Sequence, residues 1–148
     1  MKRKSLLFLI TSLVILSCGR EEIVQSPLEG AWNLIDWDAY RADTLYGSYG
    51  KDITGGEIKI FSEKYFVFRG RYQADTTISN NFGGGSYILD GNHYEETYLN
   101  FLDLASPPLS VLKLLVEFKG DTLIQSWPCD DNWNLQTNYQ TQKLVRLD

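Results

Sequence analysis

Ser110-Val111-Leu112-Lys113-Leu114-Leu115-Val116-Glu117-Phe118-Lys119-Gly120-Asp121-Thr122-Leu123 is the stretch on which the fold turns. Its leucine content suits a helix as well as a strand. Leu112, Leu114, Val116 and Phe118 alternate with Lys113 and Glu117, however. A period of two is the strand repeat, whereas a helix places its apolar residues three and four apart. Lys119-Gly120-Asp121 then supplies a tight turn, with Gly able to take the positive φ a hairpin requires. The chain continues into a second β-like run from Thr122. Strand, turn and strand is therefore the reading, and it makes the domain all-β.

Working outward, the same two-residue repeat recurs on both sides. It predicts eight strands, near 31–40, 55–62, 64–72, 83–89, 93–102, 110–119, 122–127 and 136–147. Asp90-Gly91-Asn92 is a second hairpin turn. Gly47 to Gly56 and Asp75 to Asn81 read as longer polar connections. Pro107-Pro108 cannot donate to a ladder and marks the loop before the sixth strand. Consecutive strands joined mainly by short turns predict an antiparallel up-and-down meander. Closing it into an eight-stranded barrel hides its edges.

The first residues have a different character. Lys2, Arg3 and Lys4 precede the apolar run Leu6 to Leu16, which ends at Leu16-Ser17-Cys18-Gly19. The run is too short for a spanning helix, which needs roughly 20 residues. A basic segment, a short apolar segment and a small residue before a cut make a secretory signal. A Cys at that cut resembles the lipobox of bacterial lipoproteins. The resemblance implies that residues 1–17 are a lipoprotein signal peptide and that Cys18 is diacylated and becomes the N-terminus. Residues 18–27 then read as a tether and 28–148 as the barrel domain. Arg20-Glu21-Glu22 loosely resembles the acidic export tag of surface lipoproteins, and a solvated polar tether accounts for it equally well. The expected location is the bacterial cell envelope, as an outer-membrane lipoprotein, with surface exposure open. With Cys18 lipidated, Cys129 has no partner for an intrachain disulfide; without the lipid, a Cys18–Cys129 bridge becomes possible.

Charge excludes some partners. The 14 Lys and Arg face 19 Asp and Glu, a net charge of −5, and loss of Lys2, Arg3 and Lys4 makes the remainder more acidic still. Nucleic acid is not expected as a partner, because it is bound by displacing counterions with Lys and Arg. Contact with a membrane is expected through the lipid anchor alone.

Leu28-Glu29-Gly30-Ala31-Trp32-Asn33-Leu34 opens the first strand and resembles the Gly-x-Trp signature of lipocalins and their calycin relatives. In that family Gly30 would permit close approach and Trp32 would plug the barrel floor. An Arg on the last strand packs across the Trp, and Arg146 in Leu144-Val145-Arg146-Leu147 is placed to do so. Lys59 to Phe66, Phe82 to Tyr87 and Asp90 to Glu96 are similar to a group of uncharacterised lipocalin-like bacterial lipoproteins. The Thr-Asp-Tyr motif of lipocalins is absent between Leu109 and Trp127.

Catalytic chemistry is not evident. His93 is the only His and lies beside a tight turn. No Cys/His set has zinc spacing, no Gly-rich phosphate loop occurs, and Asp130-Asp131-Asn132 lacks the remaining ligands of a calcium loop. Gly83-Gly84-Gly85 precedes a strand rather than a helix and reads as a strand entry or a barrel bend. The chain is not expected to be an enzyme, and no cofactor is expected.

Adjacent residues of a strand face opposite sides, so one of Glu95 and Glu96 points inward. An inward Glu in an apolar barrel needs a partner, with Arg69, Arg71, Lys143 or a Tyr hydroxyl as candidates. Asp36 shares parity with Trp32 and Leu34, and Gln125 lies between Leu123 and Trp127; each is either a polar contact inside or a rim position. Tyr94, Glu96, Tyr98 and Gln125 are the candidate pocket residues. Two functions follow. One is a carrier or sensor holding a small, largely apolar ligand. The other is a barrel packed solid by its aromatics, docking an envelope protein through loops such as Trp127 to Trp133.

Overall fold

The structure, a computed structural model, describes residues 26–101 and 110–148. Cys18, the signal segment, most of the tether and Pro107-Pro108 lie outside these residues. Among the described residues there are nine strands and no helix: β1 (Gly30–Arg41), β2 (Thr44–Ser48), β3 (Thr54–Phe61), β4 (Tyr65–Ala74), β5 (Thr77–Asp90), β6 (His93–Phe101), β7 (Val111–Lys119), β8 (Thr122–Cys129) and β9 (Leu135–Arg146). Each of β3 to β9 pairs antiparallel with the next, and β1 pairs with both β3 and β9. Eight strands thus close into an up-and-down barrel, and the ambiguous 110–119 stretch is strand β7.

Three local expectations need correction. The Gly47–Gly56 connection is shorter, because Thr44–Ser48 forms an extra strand, β2, hairpinned onto the far end of β1. Ala42 and Asp43 make that turn, both at positive φ (47° and 59°). The Asp75–Asn81 connection is a two-residue turn, since Ala74 already pairs with Thr77 and β5 runs from Thr77 to Asp90. The polar run Thr77–Asn81 is strand because it extends β5 beside β4, where strand pairing satisfies its backbone regardless of side-chain polarity. Gly83-Gly84-Gly85 consequently lies in mid-strand. The pairing of β5 with β6 shifts register between Gly84 and Gly85, and a bulge of this kind bends a sheet.

Inward residues fill one half of the barrel. Trp32 and Leu34 of β1, Phe61 of β3, Phe66 of β4, Tyr94 of β6, Val116 of β7, Leu123 of β8 and Leu144 of β9 form one buried cluster, with Leu28 plugging the end. Burying each large apolar side chain contributes roughly 1.5–3 kcal/mol. Trp32 is 1% exposed and its Nε1 donates to Leu28 O at 2.7 Å. The Arg146 guanidinium lies 4.3 Å from the Trp32 ring centroid and donates to the carbonyls of Glu29 and Pro27. Gly30 adopts φ +123°, and a Cβ there would sit 2.5 Å from Arg146 Nη1. Only glycine allows the chain to turn under the guanidinium.

A register shift between Leu34 and Asp36 in the β1–β9 pairing reverses the facing of β1 beyond that point. Ile35 is the extra residue. Trp37 therefore turns toward the interior, while Asp36 goes outside and pairs with Lys143 Nζ at 2.6 Å. The parity shared by Asp36, Trp32 and Leu34 in the sequence ends at this bulge.

Candidate functional site

Three polar side chains occupy the middle layer, each one inward step from the packed floor on its own strand. Lys59 precedes Phe61 on β3, Glu96 follows Tyr94 on β6, and Gln125 follows Leu123 on β8. All three are buried, at 5%, 1% and 1% exposure. Tyr94 and Tyr98 flank Glu96 on the same face. Tyr94, Glu96, Tyr98 and Gln125 are therefore brought together on the barrel interior.

The cluster is tightly bonded. The Lys59 ammonium forms an ion pair with Glu96 Oε1, which also accepts from Tyr94 Oη at 2.8 Å. Tyr98 Oη donates to Glu96 Oε2. The partner of the inward Glu is thus Lys59 with two Tyr hydroxyls. Arg69 and Arg71 lie on the solvent face of β4, and Lys143 is engaged by Asp36. Aromatic rings surround the other side of the ammonium, with the centroids of Phe61, Phe66 and Tyr94 at 5.2, 5.0 and 5.6 Å. Burial, and then the charge of Glu96, push the hydroxyls of Tyr94 and Tyr98 well above the ordinary tyrosine value. Both stay protonated donors.

Gln125 is set by the same cation. Its Oε1 accepts from Lys59 Nζ at 3.4 Å, while its Nε2 is buried without a hydrogen-bond partner among the described residues. Rotating the amide would place its NH2 group against the ammonium. The orphan is thus fixed, and a buried unsatisfied donor costs about 1–3 kcal/mol.

Above this layer the barrel is not filled. A cavity of about 810 Å3 extends over Lys59, Glu96 and Gln125 toward the end of the barrel away from Trp32. Its walls include Trp37, Phe68, Tyr72, Tyr98, Leu112 and Trp127, with Asn81, Gln140 and Gln142 adding polar groups. The size is that of small-molecule sites, which span roughly 300–1,000 Å3 and combine apolar walls with a few polar groups.

Sequence reasoning did not single out Glu57, which also lines the cavity and is 5% exposed. Its Oε2 accepts from Tyr72 Oη at 2.9 Å and from Asn81 Nδ2 at 3.5 Å. It makes no ion pair among the described residues. Burial raises its carboxyl above the usual carboxylate range, partly offset by Lys59. Glu57-Ile58-Lys59-Ile60-Phe61 alternates as β3 should, but with the charges inside and Ile58 and Ile60 exposed. The signal available was Phe61, whose parity places Glu57 and Lys59 on its own face.

Other candidates fall outside the cavity. His93 stacks on Trp133 at 4.3 Å between centroids. Asp130 Oδ1 accepts from the backbone of Asn132 and Asn134, which lowers its pKa and closes its loop. No group of three or more His, Cys, Asp or Glu side chains suits a metal ion among the described residues. No protein-family model matches the chain, and the curated proteins contain no significant match to it.

Proposed function

We propose that this protein is a lipid-anchored envelope lipoprotein whose lipocalin-like barrel binds a small, largely apolar molecule. The carrying observation is the cavity of about 810 Å3, apolar in its walls and polar at its base. A barrel packed solid would have left no such volume. The Gly30, Trp32 and Arg146 arrangement supports the lipocalin-like assignment. The basic segment, apolar run and Cys18 support the anchor. The loop-docking alternative has less behind it. Trp127 borders the cavity, and Trp133 is stacked on His93 with Lys113 over its ring.

Two measurements test the reading. Native mass spectrometry of full-length protein from its source organism is expected to show a co-purified small molecule. Nile red fluorescence is expected to rise on binding, and Leu112→Trp, which fills the cavity from β7, is expected to abolish the rise while the urea midpoint holds. Nile red binding that ignores Leu112→Trp would count against the cavity as the site. For the anchor, Cys18→Ser is expected to move the protein from the membrane to the soluble fraction.

A further inference from the structure

The cavity has an uneven charge. Among the described residues, its carboxyl and ammonium groups are Glu57, Lys59 and Glu96. Lys59 and Glu96 neutralise one another, and aromatic rings enclose the remaining side of the ammonium. Lys59 therefore has little left to offer an incoming anion. Glu57 stands one step nearer the open end on β3, held by two neutral donors at Oε2 alone. Arg69 and Arg71 lie on the solvent face of β4, and Lys143 of β9 is paired with Asp36 outside.

The walls around this acid are aromatic. Tyr72, which donates to Glu57, has its ring 6.3 Å from that of Trp37, with the planes inclined at 47°. Trp127 and Phe68 also line the same space. A carboxylate among aromatic rings is the environment in which an ammonium group is favoured over a neutral or anionic one.

Building on the ligand-binding reading above, we propose that the occupant is an organic amine: an aromatic or apolar body with an ammonium group against Glu57. A fatty-acid-like anion is disfavoured, because its carboxylate would meet Glu57, with no free cation among the described residues of the cavity to receive it.

Four small phenyl compounds separate these terms in competition with Nile red on the full-length protein. Tyramine carries both the ammonium and the phenol oxygen, phenethylamine lacks the oxygen, tyrosol replaces the ammonium by a hydroxyl, and 4-hydroxyphenylacetate replaces it by a carboxylate. Tyramine is expected to bind tightest, with tyrosol at least about ten-fold weaker, the scale of a charge-assisted hydrogen bond. Phenethylamine, which keeps the ammonium, is expected to stay within several-fold of tyramine, and the acid is expected to be weakest of all. Glu57→Gln should bring tyramine to the level of tyrosol, so that the preference for the ammonium is lost. Equal binding of tyramine, tyrosol and the acid, or a preference for the acid, would overturn the amine proposal while retaining the cavity as a binding site. Failure of Nile red and of all four compounds to bind would overturn the ligand-binding reading itself, and the amine proposal with it.

Discussion

Replacing Lys59 by Met takes away the ammonium that faces Glu96 and leaves a carboxylate 1% exposed with only the two tyrosine hydroxyls. Methionine matches the length of the lysine stem and suits the rings of Phe61, Phe66 and Tyr94, so packing changes little. The cost is therefore electrostatic. Breaking one side of a buried pair typically costs about 3–5 kcal/mol. Folded domains are stable by only about 5–15 kcal/mol, so this is a large fraction. With a urea m-value near 2 kcal/mol/M, in the middle of the usual range, the midpoint should fall by about 2 M at constant m. The double variant Lys59→Met with Glu96→Gln is the decisive companion. The introduced amide accepts from one tyrosine hydroxyl through its oxygen and donates to the other through its NH2 group, and neither member of the pair is left charged. It should recover most of the loss, because the intact pair contributes little net stability relative to a neutral pair. Equilibrium urea unfolding of all four proteins gives the full cycle. A single-variant loss under about 1 kcal/mol, or a double variant as unstable as the sum of the singles, would refute a buried, mutually dependent pair.

Further outcomes follow from other sites. Glu57 has a folded-state pKa raised by burial, so the folded protein holds its proton more tightly than the unfolded chain. Stability should therefore fall as pH rises from the ordinary Glu value near 4.3 through the folded one. Glu57→Gln should stabilise the protein at pH 7 and give no advantage below about pH 4, as read by urea unfolding across that range. Arg146→Lys should cost about 1–2 kcal/mol in the same assay, because an ammonium cannot both stack on Trp32 and serve the carbonyls of Glu29 and Pro27. Gly85→Ala would put a Cβ 1.9 Å from Thr97 O, whereas at Gly56 the corresponding space is open. The first should be severely destabilising and the second neutral within about 0.5 kcal/mol. Burial raises the Cys129 thiol and it is 8% exposed, so peptide mapping should find it unmodified by iodoacetamide until the protein is unfolded in urea.

The barrel was legible because its turns and its alternation agree. Leu112, Leu114, Val116 and Phe118 read as one face of a strand, and Gly91 and Gly120 mark the turns that follow and precede their neighbours. The β2 hairpin was not legible, because Ala42-Asp43 carries no Gly and Thr44–Ser48 is too short and mixed to show a period. Glu96, Tyr94 and Tyr98 could be placed on one face by parity, but parity does not say which face is inside. Lys59 was missed as the partner because the contact spans β3 to β6 across the interior, a distance in space that no local pattern encodes. On β3 the apolar Ile58 and Ile60 lie exposed while Glu57 and Lys59 are buried, the reverse of the usual rule that apolar residues mark the core. Asp36 and Trp37 exchanged sides at a bulge that a period-two reading cannot contain.

That extra residue, Ile35, is a joint between the two halves of β1. Delete it, and Leu34 and Asp36 become consecutive opposite Leu144 and Lys143, so the ladder with β9 turns regular. Trp37 then keeps its place inside and Asp36 keeps Lys143, and only the local bend is lost. The strand can therefore shed a residue at that joint with the cavity mouth and the floor around Trp32 and Leu34 both kept.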